Sequence, residues 1–267
     1  MKPETLDLLA CPACHASLTW SGKPSLPLET GSLYCARCAV EYPVEKGIPR
    51  FLRAAELSGA NRRFAGLYDW FSWIYRLFSR VAFAYIGMDE ATGRREITDR
   101  LEPRGGRVLE VSIGPGVNLP YLAGRPDVGG ICGLDISLGQ LLRCRNYLRR
   151  KGWPVDLFLG NGECLPFREN SFGGVFHVGG INFFNDKRAA IQEMIRVAAP
   201  GARILIADET EKGAAGYEKY LPGFKKSFQN GRPQIVPPFD LVPADMLEAR
   251  LFEVWKGWMY CIEFRKP

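Results

Sequence analysis

Four cysteines and one glycine-rich turn carry most of the chemistry legible in this chain. Cys11-Pro12-Ala13-Cys14 and Cys35-Ala36-Arg37-Cys38 are two Cys-x-x-Cys knuckles with 20 residues between them. Two such pairs present four thiolates to one soft metal ion, and tetrahedral zinc suits them. Four free thiols, or two redox pairs, are the alternative. His15 adjoins the first knuckle as a weaker candidate ligand. The second chemistry lies in Glu110-Val111-Ser112-Ile113-Gly114-Pro115-Gly116-Val117-Asn118. A buried apolar strand there breaks into a turn of small residues. Such a turn lets the backbone approach a ligand, and the next helix start offers free N–H groups. About 20 residues on, a second apolar strand ends in an acid, Leu134-Asp135-Ile136, the spacing at which α/β sheets hold a nucleotide and its ribose. A third candidate is His177, one of two histidines, followed by Asn182. An imidazole there could take a proton from a hydroxyl nucleophile. It could equally line a cofactor pocket or sit satisfied in the core, and Asn182 either orients a substrate or is a loop residue.

These groups need a scaffold. From Arg107 onward, strands at 107–112, 130–135, 155–160, 173–178 and 202–208 alternate with helices at 137–150 and 186–198. That alternation calls for a parallel sheet covered on both faces. The tail from Phe252 to Lys266 is rich in aromatic and β-branched residues and adds one or two strands. Residues 64–86 hold Phe64, Tyr68, Trp70, Phe71, Trp73, Tyr75, Phe78, Phe83 and Tyr85, interrupted by Asp69, Arg76 and Arg80. This segment reads as one or two helices with a wide apolar face, either packed on the main domain or forming a substrate lid.

The 267 residues allow one large or two small domains, and 46% hydrophobic content supports a buried core. No apolar run reaches the roughly 18 residues of a membrane span, and Met1–Asp7 lacks a signal peptide's layout. A cytoplasmic location is expected, with peripheral membrane contact still open. In a reducing compartment the eight cysteines are not expected to pair. Cys132, Cys144, Cys164 and Cys261 lack metal spacing and read as packing residues. Net charge is +6 and diffuse. The densest run, Arg143, Arg145, Arg149, Arg150 and Lys151, reads as the solvated face of a helix.

Four motifs resemble the class I S-adenosylmethionine-dependent methyltransferases, and most of all the group containing the ubiquinone and menaquinone C-methyltransferases. They are Glu110-Val111-Ser112-Ile113-Gly114-Pro115-Gly116, with Ser112 in place of the family's first glycine; Asp135 at the second strand's end; Gly160-Asn161-Gly162-Glu163-Cys164-Leu165-Pro166-Phe167; and Ala198-Ala199-Pro200-Gly201-Ala202-Arg203-Ile204-Leu205-Ile206. The resemblance, over roughly residues 64–210, implies an α/β, Rossmann-like, mostly parallel seven-stranded sheet with helices on both faces, preceded by a small zinc-ribbon domain. It implies S-adenosylmethionine as cofactor. Glu110 and the turn with Ser112, Gly114, Gly116 and Asn118 would face its methionine part. Asp135 would accept from both ribose hydroxyls, and Ile136 would lie on the adenine. Asn161 would accept from the adenine amino group, with Gly162 and Glu163 beside it. His177 would line the cofactor pocket, and Tyr68, in a Tyr-Asp pair seen in this group, could cover the cofactor.

Residues Leu9–Cys14, Cys35–Cys38, Tyr42-Pro43 and Gly47-Ile48-Pro49 resemble the short zinc-ribbon proteins that activate tRNA and rRNA methyltransferases as subunits. They also resemble the N-terminal ribbon of bacterial rRNA guanine methyltransferases, which departs by using a His in the second knuckle. The expected layout is a ribbon over 1–55 with structural zinc on Cys11, Cys14, Cys35 and Cys38, an aromatic helical bridge over 56–100, and a methyltransferase domain over 101–267. An insertion at about 211–242 would cap the substrate. It holds Tyr217, Tyr220, Phe224, Phe228 and Phe239 among Lys219, Lys225, Lys226 and Arg232. The expected activity is methyl transfer to a small apolar or aromatic acceptor. The alternatives are an RNA base, read by the ribbon, or a protein partner. Oligomeric state is not legible.

Overall fold

The computed structural model describes residues 1–22, 27–52, 89–220 and 234–267. Most of the aromatic bridge, with Tyr68, lies outside the described residues, as does the middle of the expected cap with Phe224, Phe228 and Arg232.

The N-terminal segment forms an antiparallel sheet in sequence order: β1 (Thr19–Gly22), β2 (Thr30–Cys35), β3 (Val40–Glu45) and β4 (Ile48–Pro49). The large sheet has seven strands: β5 (Arg107–Val111), β6 (Gly130–Asp135), β7 (Val155–Leu159), β8 (Phe172–Val178), β9 (Ala198–Glu209), β10 (Leu247–Val254) and β11 (Met259–Arg265). Their order is β10-β11-β9-β8-β5-β6-β7. The pairs among β5 to β9 are parallel, and β11 runs antiparallel to both β9 and β10. The expected extra strands at the tail are therefore two, with the last inserted between β9 and β10.

Helices cover both faces. On one side are α1 (Glu90–Thr98) and α2 (Leu138–Lys151), whose Ile97, Leu141, Cys144 and Leu148 pack with Val108 and Phe176. On the other is α3 (Lys187–Val197), whose Ile191, Met194 and Val197 pack with Leu109, Val111 and Val175. Adjacent strand residues thus feed opposite cores, as the period of two requires. Each helix starts on a local signal. Ser137 accepts from the Gln140 N–H at 3.1 Å and Asp186 from the Ala189 N–H at 2.9 Å. Helix α2 ends at Gly152, in the left-handed conformation, with Arg149, Arg150 and Lys151 in its last turn. The basic run is that helix terminus, and its last three residues are exposed. No helix among the described residues is long and apolar enough to cross a membrane.

The ribbon is docked on the large sheet. Arg50 makes a parallel bridge to Leu159, and the Phe51 N–H donates to the Leu159 carbonyl at 2.8 Å. Strand β7 would otherwise be an open edge, and this segment covers it. A second seam runs antiparallel at Leu9 and Phe167, with the Ala10 N–H on the Pro166 carbonyl at 3.1 Å and the Arg168 N–H on the Leu8 carbonyl at 2.8 Å. Buried Asp156, on β7, accepts from the Lys2 N–H at 3.0 Å and from the Thr5 hydroxyl. One apolar core runs from Leu9, Leu33 and Phe51 of the ribbon to Phe158 and Phe167 of the sheet domain.

Candidate active site

The strand order reverses between β5 and β8, so a crevice opens beyond their carboxyl ends. The turn after β5 forms its floor. Gly114 has φ of +53° and Gly116 +79°. Apart from its chain neighbours, no atom of the described residues lies within 4 Å of where a Cβ on Gly114 would stand. At Gly116 a Cβ would stand 2.7 Å from Leu119 and 2.9 Å from the Cys144 sulfur, so only glycine lets the turn pack on α2. Ser112 has φ of +63°. The substitution that departs from the family pattern is therefore a serine in a conformation that glycine adopts without strain. Ser112→Gly should relieve about 1–2 kcal/mol of left-handed strain, offset by about 0.5–1 kcal/mol of unfolded-chain entropy. A melting-temperature rise of about 1–3 °C is expected. A fall on thermal denaturation would mean that the serine hydroxyl, and not the backbone, matters there.

Asp135, at the end of β6, is buried and ties this turn to the next one. Its Oδ2 accepts from the Gly114 N–H at 2.7 Å, and its Oδ1 accepts from the Ser137 N–H at 2.8 Å. Half-buried Ile136 follows it. Glu110 is buried within β5. Its Oε1 accepts from Asn118 Nδ2 at 2.6 Å, and its Oε2 is buried with no partner among the described residues. Asn118 Oδ1 in turn accepts from Arg94 Nη1 at 2.7 Å, and Arg94 Nε donates to Glu90 at 2.9 Å. Asn118 thus holds Glu110 in place. Burial, opposed by the Asn118 hydrogen bond, pushes the Glu110 carboxyl up to about 8.

The third motif closes the crevice on the β6 side. Asn161 Oδ1 accepts from the Glu163 N–H at 3.0 Å, a tight turn. Glu163 Oε1 accepts from the Asn185 N–H at 2.8 Å, which joins this turn to the loop after β8. A Cβ on Gly162 would stand 2.8 Å from Phe184 and 2.9 Å from Val111, so a side chain does not fit. Helix α3 anchors the Leu165-Pro166-Phe167 stretch. Arg196 donates to the Phe167 carbonyl at 2.7 Å and the Leu165 carbonyl at 3.0 Å, and Glu193 accepts from the Leu165 N–H at 2.7 Å.

His177 is buried on β8. Its Nδ1 lies 3.0 Å from the Val111 carbonyl, which can only accept, so Nδ1 carries the proton. Nε2 then offers a lone pair, and it has no partner among the described residues. Burial pushes the ring toward its neutral form, opposed by the nearby Asp208 charge. Phe184 packs edge-on against it at 5.4 Å. Asn182 follows in the next loop, with its Nδ2 buried and without a partner among the described residues. Sequence reasoning missed Asp208 and Glu209 at the end of β9. Two acids closing a strand that is otherwise apolar were the available signal. Burial, then the adjacent Asp208, push the Glu209 carboxyl well above its usual range.

In the ribbon, one ligand atom from each of Cys11, Cys14, Cys35 and Cys38 falls within 4.8 Å of all the others. The Cys11–Cys38 separation is 4.0 Å and the Cys14–Cys35 separation is 3.6 Å. A tetrahedral zinc with bonds of about 2.3 Å sets sulfurs about 3.8 Å apart, so the cluster fits. His15 is exposed and outside it.

A methyltransferase-domain family model matches residues 109–206, and a Trm112p-like protein model matches residues 2–47. An O-methyltransferase of Aspergillus nomiae is 32% identical over 162 residues, 60% of this chain and 68% of its own. A demethylmenaquinone methyltransferase of Renibacterium salmoninarum is 35% identical over 105 residues. That match spans 39% of this chain and 41% of the relative, under half its length. An S-adenosylmethionine-dependent methyltransferase structure from Thermotoga maritima aligns with a TM-score of 0.55 at 19% identity, over 78% of this chain and 100% of its own. The [4+2]-cyclase SpnF aligns with a TM-score of 0.56 at 14% identity, over 79% and 97%. At such identities the structural matches establish the fold, and the cyclase shows that this fold also houses other reactions. With the sequence relatives, the order of the strands and the glycine crevice, the chain belongs to the class I S-adenosylmethionine-dependent methyltransferases and carries a Trm112p-like segment at its N-terminal end.

Proposed function

We propose that this chain transfers a methyl group from S-adenosylmethionine to a small apolar or aromatic acceptor at the carboxyl ends of β5 and β8. One observation carries the reading. Near the carboxyl ends of β5 and β8, Gly114, Gly179 and Gly180 all have positive φ with no non-neighbouring atom of the described residues within 4 Å of where a Cβ would stand, while Glu110 on β5 and His177 on β8 each keep a buried side-chain polar atom with no partner among the described residues. The cofactor, when bound, supplies an electrophilic methyl group on sulfur, so the chain's task is alignment and exclusion of water. Asp135 accepts from the ribose hydroxyls and Ile136 covers one adenine face. Asn161 and Gly162 meet the adenine edge, and Glu163 holds their turn. Glu110 and the Ser112–Gly116 backbone face the methionine end. His177 Nε2 accepts the proton of an acceptor hydroxyl, with Asn182 orienting that group. The half-buried Phe184 beside His177 favours an apolar acceptor. The Aspergillus and Renibacterium relatives, an O-methyltransferase and a demethylmenaquinone methyltransferase by name, support the same class. We also infer that Cys11, Cys14, Cys35 and Cys38 hold one structural zinc. Docking uses the Leu9 and Arg50–Phe51 edges of the ribbon, which supports a propping role over RNA reading.

The test is transfer of label from the methyl-labelled cofactor to a panel of naphthohydroquinones and phenols, beside rRNA and tRNA. Label on a hydroquinone or phenol is expected. Label entering RNA alone would overturn the acceptor class.

The raised Glu110 carboxyl adds a pH signature. Folded protein binds a proton there between about pH 4.5 and 8 that the unfolded chain has lost, so this group's contribution to stability falls as pH rises across that window. A cofactor ammonium favours the carboxylate, so binding releases the proton. Affinity should therefore rise from pH 6 to 8, by at most about tenfold per pH unit, and level off above. Calorimetric titration would show it, and Glu110→Gln should flatten the slope. An equally steep slope in that variant would rule Glu110 out.

A further inference from the structure

Asp208 is a fully buried carboxylate at the end of β9. Its Oδ1 accepts from the Gly180 N–H at 3.0 Å and the Glu209 N–H at 3.0 Å, and its Oδ2 accepts from the Asn182 N–H at 2.9 Å. Two of those donors belong to the loop that leaves β8 just after His177. Gly179 and Gly180 take φ of +80° and +109° in succession, and apart from their chain neighbours no atom of the described residues lies within 4 Å of where a Cβ on either would stand. Two successive glycines leave the backbone free to take many conformations, so holding one needs an outside constraint, and Asp208 supplies it from the neighbouring strand. The Asn182 side chain is oriented too. Its Oδ1 faces the Tyr260 hydroxyl at 3.5 Å and the Lys187 ammonium at 3.5 Å, which turns its unpartnered Nδ2 away from them.

We propose that Asp208 is a positioning residue for methyl transfer: it pins the Gly179–Asn182 loop so that Asn182 and His177 meet the acceptor in register. This rests on the methyl-transfer reading above. The geometry needs an acceptor-only side chain. An amide in its place offers one oxygen and turns an NH2 toward a backbone N–H, so one of the two loop contacts must break.

Asp208→Asn tests this with three readouts. Hydrogen exchange at the Gly180 amide, the Asn182 amide or both should accelerate at least tenfold, with the β5 amides unchanged. The Kd for S-adenosylmethionine should stay within about threefold, while kcat for a 1,4-naphthohydroquinone probe falls at least tenfold. The double variant with Asn182→Ala should lose no more than the worse single, because both act through one loop. Unchanged exchange at both amides, loss of cofactor binding together with global stability, or fully additive kcat losses would each overturn the assignment. If the wild-type protein fails to methylate the probe, the acceptor class falls, and the exchange and cofactor readouts still decide the role of Asp208.

Discussion

Asp135→Ala is expected to weaken S-adenosylmethionine binding by two to three orders of magnitude while the protein stays folded. Hydrogen bonds to a charged group contribute about 1.5–3 kcal/mol each, and two ribose hydroxyls on one carboxylate put the loss near 3–4 kcal/mol, about 100- to 1,000-fold. Asp135 has a second task that works in the same direction. Its two oxygens receive the Gly114 and Ser137 N–H groups, so the same residue shapes the turn proposed to hold the methionine end. Asp135→Asn separates the two tasks. The amide keeps one acceptor oxygen, yet must turn its NH2 toward one of those N–H groups. A loss in Asn close to that in Ala means the turn dominates, and an intermediate loss means the ribose does. Titration calorimetry with a thermal melt gives both numbers. A Kd for the alanine variant within threefold of wild type would sink the ribose assignment.

The parts of this molecule that follow local rules were legible in its sequence. Strands and helices from Arg107 to Glu209 stand within a residue or two of their expected bounds, apart from an earlier start of β9. Each is fixed by an apolar run of the right period or a cap such as Ser137 or Asp186. The four cysteines converge because Cys-x-x-Cys turns aim both sulfurs one way. What escaped depends on partners far apart in the chain. The role of Asn118 as the link between Arg94 and Glu110 joins residues 24 apart. The role of Asp208 joins β9 to the loop after β8. The docking of the ribbon joins residues over 100 apart. Asp156 carried a hint, since an acid inside the apolar run Val155–Leu159 conflicts with a strand buried on both faces. Its burial against Lys2 and Thr5 resolves that conflict. The Ser112 substitution was legible as a departure, though its backbone strain was not, because φ is set by the turn as a whole.

Removing the zinc is expected to have the largest effect on stability, and one that reaches the cofactor. The ribbon spans about 50 residues, too few to bury a self-sufficient core. Metal binding supplies on the order of 10 kcal/mol to such modules. The cysteines also sit inside the shared core: Cys11 and Cys35 are fully buried in the cluster that holds Leu9, Leu33 and Phe51 together with Phe158 and Phe167. Opening the metal cluster would therefore strip apolar cover from the sheet domain and expose the β7 edge. The route to the crevice is short. Tyr42 packs its ring on Phe51 at 5.1 Å and its hydroxyl lies 3.3 Å from the Cys11 sulfur. Phe51 binds the Leu159 carbonyl, and Leu159 leads into Gly160-Asn161-Gly162. Chelation, or Cys35→Ser, should lower the melting temperature by 10 °C or more, since 1 kcal/mol corresponds to about 2–4 °C at this size. Cofactor affinity should fall with it by about tenfold, as the Asn161-Gly162 turn proposed to meet the adenine loses its support. Phe51→Ala keeps all four thiolates and isolates the second effect: metal content should stay at one zinc per chain while cofactor affinity drops. Thermal melts, zinc analysis and cofactor titration on the three proteins decide the matter. A chelated protein that melts and binds cofactor like the untreated one would show that the cysteine cluster contributes to neither.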